Sequence, residues 1–124
     1  MPFTPDSSVV WTEIPVRDLD DAMAFYSAVF GYELTIDNNG PSPLSTLPSD
    51  GKKGVAGNLY VGNPPAPNTG PTLHFLVPGK LEDAMERCSK AGGTVMPDIM
   101  QLPIGRFCYA LDPDGNSMGL FEPK

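Results

Sequence analysis

Residues 19–23 read "LDDAM" and residues 81–85 read "LEDAM". The likeness continues past the five letters. Adding 62 carries Leu19 to Leu81, Ala22 to Ala84, Met23 to Met85, Tyr26 to Cys88, Val29 to Ala91 and Gly31 to Gly93. These positions follow the i, i+3, i+4, i+7 spacing of a helix buried along one side. A glycine closes each stripe, as suits a chain that must turn left-handed to leave a helix. The spacing predicts helices over Leu19–Phe30 and Leu81–Ala91, each the centre of a doubled unit.

The doubling extends outward. "VVWTEIPV" (Val9–Val16) precedes the first helix and "PTLHFLV" (Pro71–Val77) the second; both are rich in strand-forming residues. Asp18 is the expected N-cap of the first helix, whereas Lys80 is a poor cap for the second. "PGK" in place of "RD" adds one residue, so the strands align with a shift of 61 and the helices with 62. After the first helix come "YELTI", "PLSTL" and "GVAGNLYVG", separated by "DNNG" and "PSDGKKG"; after the second come "GTVMP", "GRFCYALD" and "NSMGLFE", the last two joined by "DPDGN". Each half reads strand, helix, three strands. The proline-rich stretch "NPPAPNTG" (residues 63–70) joins them as a stiff connector. The expectation is a single domain over 1–124, with unit one at about 8–62 and unit two at about 71–124, since neither half buries an adequate core alone.

Composition narrows the function. Eight basic and 15 acidic residues give a net charge of −7, and the basic residues are scattered apart from Lys52 and Lys53. A nucleic-acid binder needs a clustered basic face, so none is expected as partner. No apolar run approaches the ~20 residues of a membrane span. The opening residues lack a signal-peptide pattern, which points to the cytoplasm. Two cysteines make no disulfide framework.

The pattern resembles the vicinal oxygen chelate superfamily of glyoxalases, bleomycin-resistance proteins, fosfomycin-resistance enzymes and extradiol dioxygenases. The resemblance rests on "IPVRDLDDAMAFYSAVFGYEL" and "GRFCYALDPDGNSMGLFEP" and covers about Val9 to Glu122. The later segment is similar to a little-characterised, lactoylglutathione-lyase-related single-domain branch. The resemblance implies an α+β fold: two paired βαβββ modules forming a curled mixed sheet around a cavity, with the helices outside. It also implies four metal-ligand positions on the first and last strands of each module. Here those positions carry Trp11, Thr72, Gly119 and a residue of "AGNLY", where Asn58 is the sole conceivable donor. Divalent ions require His, carboxylate or comparable donors. No metal or other cofactor is therefore expected. His74, the only histidine, falls two residues beyond Thr72, with Glu13 as its counterpart beyond Trp11; a shifted His74–Glu13 ligand pair is the residual metal reading.

Strand alternation then selects a cavity lining. If Cys108 pairs with Gly119, and Arg106 with Phe121, the lining comprises Trp11, Glu13, Asn58, Thr72, His74, Arg106, Cys108 and Phe121. Phe107, Tyr109, Met118 and Leu120 then face the helices, and Cys108 is separated from helix-side Cys88. Glu13, His74 and Arg106 are the candidate catalytic groups: a carboxylate and an imidazole for proton transfer, a guanidinium to hold an anion or neutralise Glu13. Three functions are consistent with this set: metal-free binding of a small organic molecule, a metal-independent lyase or isomerase, and a divalent-metal lyase or dioxygenase. The missing donors weigh against the third, and Trp11 at a ligand position favours the first. A symmetric homodimer is expected, the commonest closed assembly.

Overall fold

Two helices on one side of two small sheets organise the chain, whose computed structural model describes residues 2–51 and 56–124. Helix α1 (Leu19–Phe30) buries Leu19, Ala22, Phe25, Tyr26, Val29 and Phe30, the stripe expected from the repeat. Helix α2 (Leu81–Lys90) buries Leu81, Ala84 and Cys88. Each fully buried Leu, Val or Phe among them contributes roughly 1.5–3 kcal/mol. Asp18 caps α1 by accepting the Asp21 N–H at 2.9 Å, and Gly31 ends it in the left-handed region at φ 75°.

The second helix solves the same problems differently. Lys80 makes no capping bond; instead the Glu122 carboxylate, from the far end of the chain, accepts the Leu81 N–H at 2.7 Å. At the other end, Ala91 is the C-cap and Gly92, not Gly93, is left-handed. Gly93 is needed for closeness: a Cβ there would stand 2.6 Å from the Cys88 Sγ and 2.9 Å from the Leu111 carbonyl oxygen. Arg87 bridges the helices, donating from Nε to the Val29 carbonyl at 2.8 Å. It supplies the C-terminal cation that the last turn of α1 lacks.

The first sheet runs β1 (Trp11–Val16), β3 (Ala56–Val61), β2 (Leu44–Thr46), with β1 parallel to β3 and β2 antiparallel to it. "YELTI" forms no strand; a lone bridge between Asp37 and Leu44 stands in its place. The "PSDGKKG" turn lies partly outside the described residues. The second sheet runs β4 (Leu73–Leu76), β8 (Ser117–Pro123), β7 (Gly105–Leu111), β5 (Thr94–Val95), with β6 (Met100–Leu102) also on β7. Again the first strand is parallel to the last. The expected α+β fold of paired units is present, with two separate mixed sheets and no closed barrel. The shift of 61 also holds: Val16 and Val77 are buried, Glu13 and His74 exposed.

No backbone ladder joins β1 to β4 among the described residues, so the halves meet by other means. One core runs across both, from Ile14, Val16 and Leu59 to Ala110, Met118 and Leu120. The "DPDGN" turn fastens the seam. Asp112, 3% exposed, accepts the N–H groups of Asp114 and Asn116 on Oδ1, and the Tyr26 hydroxyl at 2.9 Å and the Asn116 amide at 3.0 Å on Oδ2. Asn116 also donates to the Pro15 carbonyl at 2.8 Å, and Asp114 holds the Arg17 backbone N–H and guanidinium. Burial, and then the neighbouring Asp112 carboxylate, push the Tyr26 hydroxyl pKa well above its ordinary value. Tyr26 is thus a proton donor locked to its acceptor. Among the described residues no helix is long and apolar enough to cross a membrane.

Candidate functional site

The helices cover one face of each sheet, leaving the other open. On β1 the open face carries Trp11 and Glu13; on β3 it carries Asn58, the register partner of Glu13. Trp11 is 49% exposed, and its indole N–H donates to the Asn58 Oδ1 at 2.9 Å. An indole nitrogen can only donate, so this bond fixes the Asn58 amide orientation. It also fixes the ring as a platform. Among the described residues the buried Asn58 Nδ2 finds no acceptor. Glu13 is exposed and makes no hydrogen bond or ion pair among the described residues.

On the second sheet the open face carries Thr72, His74 and Phe121. The Thr72 and Ser117 hydroxyls are bonded at 2.6 Å. His74 pairs with Gly119 across the ladder, and its ring lies over that glycine, where any Cβ would overlap it. Phe107 and Tyr109 meet the imidazole edge-on, with ring centres 4.9 and 5.9 Å away. His74 therefore packs against these two rings and not against Trp11, and no hydrogen bond joins it to Glu13.

The last hairpin departs from expectation by one residue. Tyr109 pairs with Gly119, Phe107 with Phe121, Cys108 with Leu120 and Arg106 with Glu122. Five residues, Asp112–Asn116, separate the closing pair Leu111–Ser117. Because side chains alternate, a one-residue slip sends every β7 side chain to the opposite face. Phe107 and Tyr109 therefore join the open face, while Met118 and Leu120 stay in the core as expected. Cys108 lies in the core too, fully buried and near Cys88, which overturns both its assignment to the cavity and its separation from the other thiol. Burial pushes both thiols up to about 11, with the proximity of Cys108 adding to the shift of Cys88. Neither is a nucleophile at neutral pH.

Arg106 is corrected as well. Its guanidinium grips the two Glu82 oxygens at 2.6 and 2.7 Å and Glu122 Oε1 at 2.7 Å. It is engaged by Glu82 on α2 and Glu122 on β8, and makes no ion pair with Glu13. The side-chain hydrogen bond from Arg106 holds the Glu82 carboxyl down at about 2. The Leu81 N–H, then Arg106, lower that of Glu122.

Between β1 and β4, which no ladder joins among the described residues, two clefts open. One, of about 380 Å³, lies between Glu13, Pro15 and Leu73 and the connector residues Pro65 and Thr69. The other, of about 250 Å³, is lined by Ala56, Thr72 and His74, with Tyr32 and Phe75. Thr12 and Leu73 border both. The donor set does not fit a metal ion. The Thr72 hydroxyl is bonded to Ser117, Asn58 Oδ1 is taken by Trp11, and the imidazole fills the space above Gly119. Among the described residues no three His, Cys, Asp or Glu side chains group closely enough to hold one.

The fold has solved counterparts. A glyoxalase/bleomycin resistance protein from Albidiferax ferrireducens T118 superposes with a TM-score of 0.71 at 19% identity, over 94% of this chain and 99% of that one. The fosfomycin resistance protein FosX from Listeria monocytogenes gives 0.70 at 19% identity, covering 95% and 94%. TnmS3, an antibiotic binding protein from Streptomyces sp. CB03234, gives 0.66 at 26% identity, covering 95% and 97%. No curated protein matches. The profile of the Glyoxalase/Bleomycin resistance protein/Dioxygenase superfamily matches residues 8–120, nearly the whole chain. By that match, and with its two strand–helix–strand units in mixed sheets, the chain belongs to the glyoxalase/bleomycin resistance protein/dioxygenase superfamily.

Proposed function

We propose that this protein binds a small organic molecule without a metal, at the seam of its open sheet face. The observation that carries the reading is Trp11: a half-exposed indole held by Asn58, standing where the superfamily resemblance implies a metal ligand. A fixed aromatic face offers stacking area at little entropic cost and no chemistry of its own. Trp11 itself lines neither cleft, but its chain neighbour Thr12 borders both and Glu13 the larger, whose volume of about 380 Å³ is of the size that small molecules fill. The likeness to TnmS3, at 26% identity, supports a binding role. A metal-independent lyase or isomerase would need Glu13, His74 and Arg106 to act together. His74 is packed among Phe107 and Tyr109, and Arg106 is engaged by Glu82 and Glu122.

The test is a titration of Trp11 fluorescence, unambiguous because it is the only tryptophan, with a panel of planar aromatic antibiotics. Saturable quenching in metal-free buffer, lost in Trp11→Ala, is the expected result. Binding that appears only after zinc, nickel or iron is added would overturn the metal-free reading.

We further propose a cytoplasmic single domain, with units at about 8–62 and 71–124 around the connector, that forms a symmetric homodimer. Leu76 and Tyr109 leave apolar surface on the open face that association would cover. Sedimentation equilibrium at micromolar concentration is expected to give twice the chain mass; a species at 13.3 kDa would refute the dimer.

A further inference from the structure

The larger seam cleft is walled by Ile14, Pro15, Pro65, Pro71 and Leu73, all apolar. Its polar groups are the hydroxyls of Thr12, Thr69 and Ser117, the Asn116 amide and the carboxylate of Glu13. Three of these are already used: Asn116 donates to Pro15 and Asp112, Ser117 is bonded to Thr72, and the Thr69 hydroxyl donates to the Ala66 carbonyl. No Lys, Arg or His is among the lining residues, so Glu13 supplies the only formal charge there.

Among the described residues Glu13 is also without a hydrogen-bond or ion-pair partner. The other carboxylates fixed on nearby turns and strands are not: Asp112 and Asp114 hold the seam turn, and Glu122 is bound by Leu81 and Arg106. A carboxylate lining an apolar cleft, unpaired among the described residues, is complementary to a cation on an apolar body. The chain's net charge of −7 favours the approach of such a ligand and opposes that of an anion.

We propose that the Glu13 cleft takes an apolar or aromatic molecule bearing a protonated amine, with the Glu13 carboxylate as its counter-ion. This assignment rests on the small-molecule reading above and narrows it to a ligand class. The body of the ligand lies between Pro15, Pro71 and Leu73, and the ammonium donates to Glu13. Trp11, two residues back on the same face of β1, stands ~7 Å along the strand and senses occupancy.

The experiment compares a matched pair, phenylbutylamine and phenylbutanol, which differ only in the terminal group. Each is titrated into the full chain and into Glu13→Gln, followed by Trp11 fluorescence and by backbone amide shifts of Thr12 and Ser117. Because Glu13 makes no hydrogen bond or ion pair among the described residues, the Gln variant is expected to melt with the wild type. The amine should bind about fivefold more tightly than the alcohol at low ionic strength, and the advantage should shrink with added salt. In Glu13→Gln the two should bind alike, with the alcohol unchanged. Equal binding of the pair to wild type, or an amine preference that survives Glu13→Gln, overturns the ligand class while leaving small-molecule binding intact. If neither compound saturates, the cleft assignment falls. If the aromatic panel also fails to quench Trp11, the binding reading falls with it.

Discussion

The imidazole of His74 lies across Gly119, in the volume that a side chain at 119 would occupy. The two residues are register partners on β4 and β8, so what one position lacks the other fills. A metal-ligand position of the superfamily pattern has thereby become a seat for an aromatic cluster.

Replacing Gly119 by Ala should therefore move His74 rather than the strand. The atoms in the way belong to an exposed side chain that can rotate out. We expect a loss of stability of about 1 kcal/mol and displaced ring signals of Phe107 and Tyr109 in NMR spectra. Gly57→Ala is the contrasting variant: its Cβ would overlap the Thr12 backbone carbonyl as well as the hydroxyl. Backbone cannot rotate away, and a loss of more than about 3 kcal/mol is expected in urea unfolding. Equal costs for the two would mean that His74 is held as firmly as a strand.

Removing the Tyr26 hydroxyl tests the seam. Tyr26→Phe leaves the ring packed against Phe25, Phe30 and Phe75 and deletes only the bond to buried Asp112. A hydrogen bond to a charged acceptor contributes about 2 kcal/mol, and that is the expected fall in unfolding free energy. Asp112→Ala should cost more, because three further donors lose their acceptor.

Acid should loosen the contact between α2 and the C-terminal strand. Arg106 lowers the Glu82 carboxyl to about 2, and the Glu122 carboxyl is lowered as well. A carboxyl lowered on folding adds stability that is complete above its unfolded pKa and vanishes as pH falls through the folded one. For Glu82 that window runs from about 4.5 down to about 2. Thermal melts across this range should show a steeper decline for the wild type than for Arg106→Met, the two converging at the acid end. Parallel curves would remove Arg106 as the cause.

Both thiols should resist modification in the native protein. Cys88 and Cys108 are fully buried and raised to about 11, so little thiolate exists near neutrality. Reaction with a thiol reagent should proceed only at the rate of unfolding and then yield two groups per chain. A fast single-site reaction would place one thiol at the surface.

What the sequence disclosed was local. Both helices, the Asp18 cap and the Gly31 stop follow from spacing within a dozen residues. The face of Trp11, Glu13 and His74 follows from strand alternation counted from the positions that the superfamily resemblance implies. The hairpin failed because its register depends on how many residues "DPDGN" takes to turn. Asp112, folded back onto its own turn, makes that number five residues between the closing pair. One unit of error exchanged Arg106 and Cys108 for Phe107 and Tyr109. The partners of Arg106 were hidden for another reason: Glu82 lies 24 residues away on the second helix, and no pattern of spacing links the two.

The seam between β1 and β4 has a consequence for how the molecule can be taken apart. Among the described residues, no strand ladder crosses it. A cut within residues 63–70 would leave every β-strand of each half with its own partners. The polypeptide is, in effect, already two peptides that recognise each other through Tyr26, Asp112 and a shared core. Separately expressed halves should therefore find one another by fragment complementation, and the reassembled pair would regain the groove with neither strand register to search for nor covalent bond to guide it.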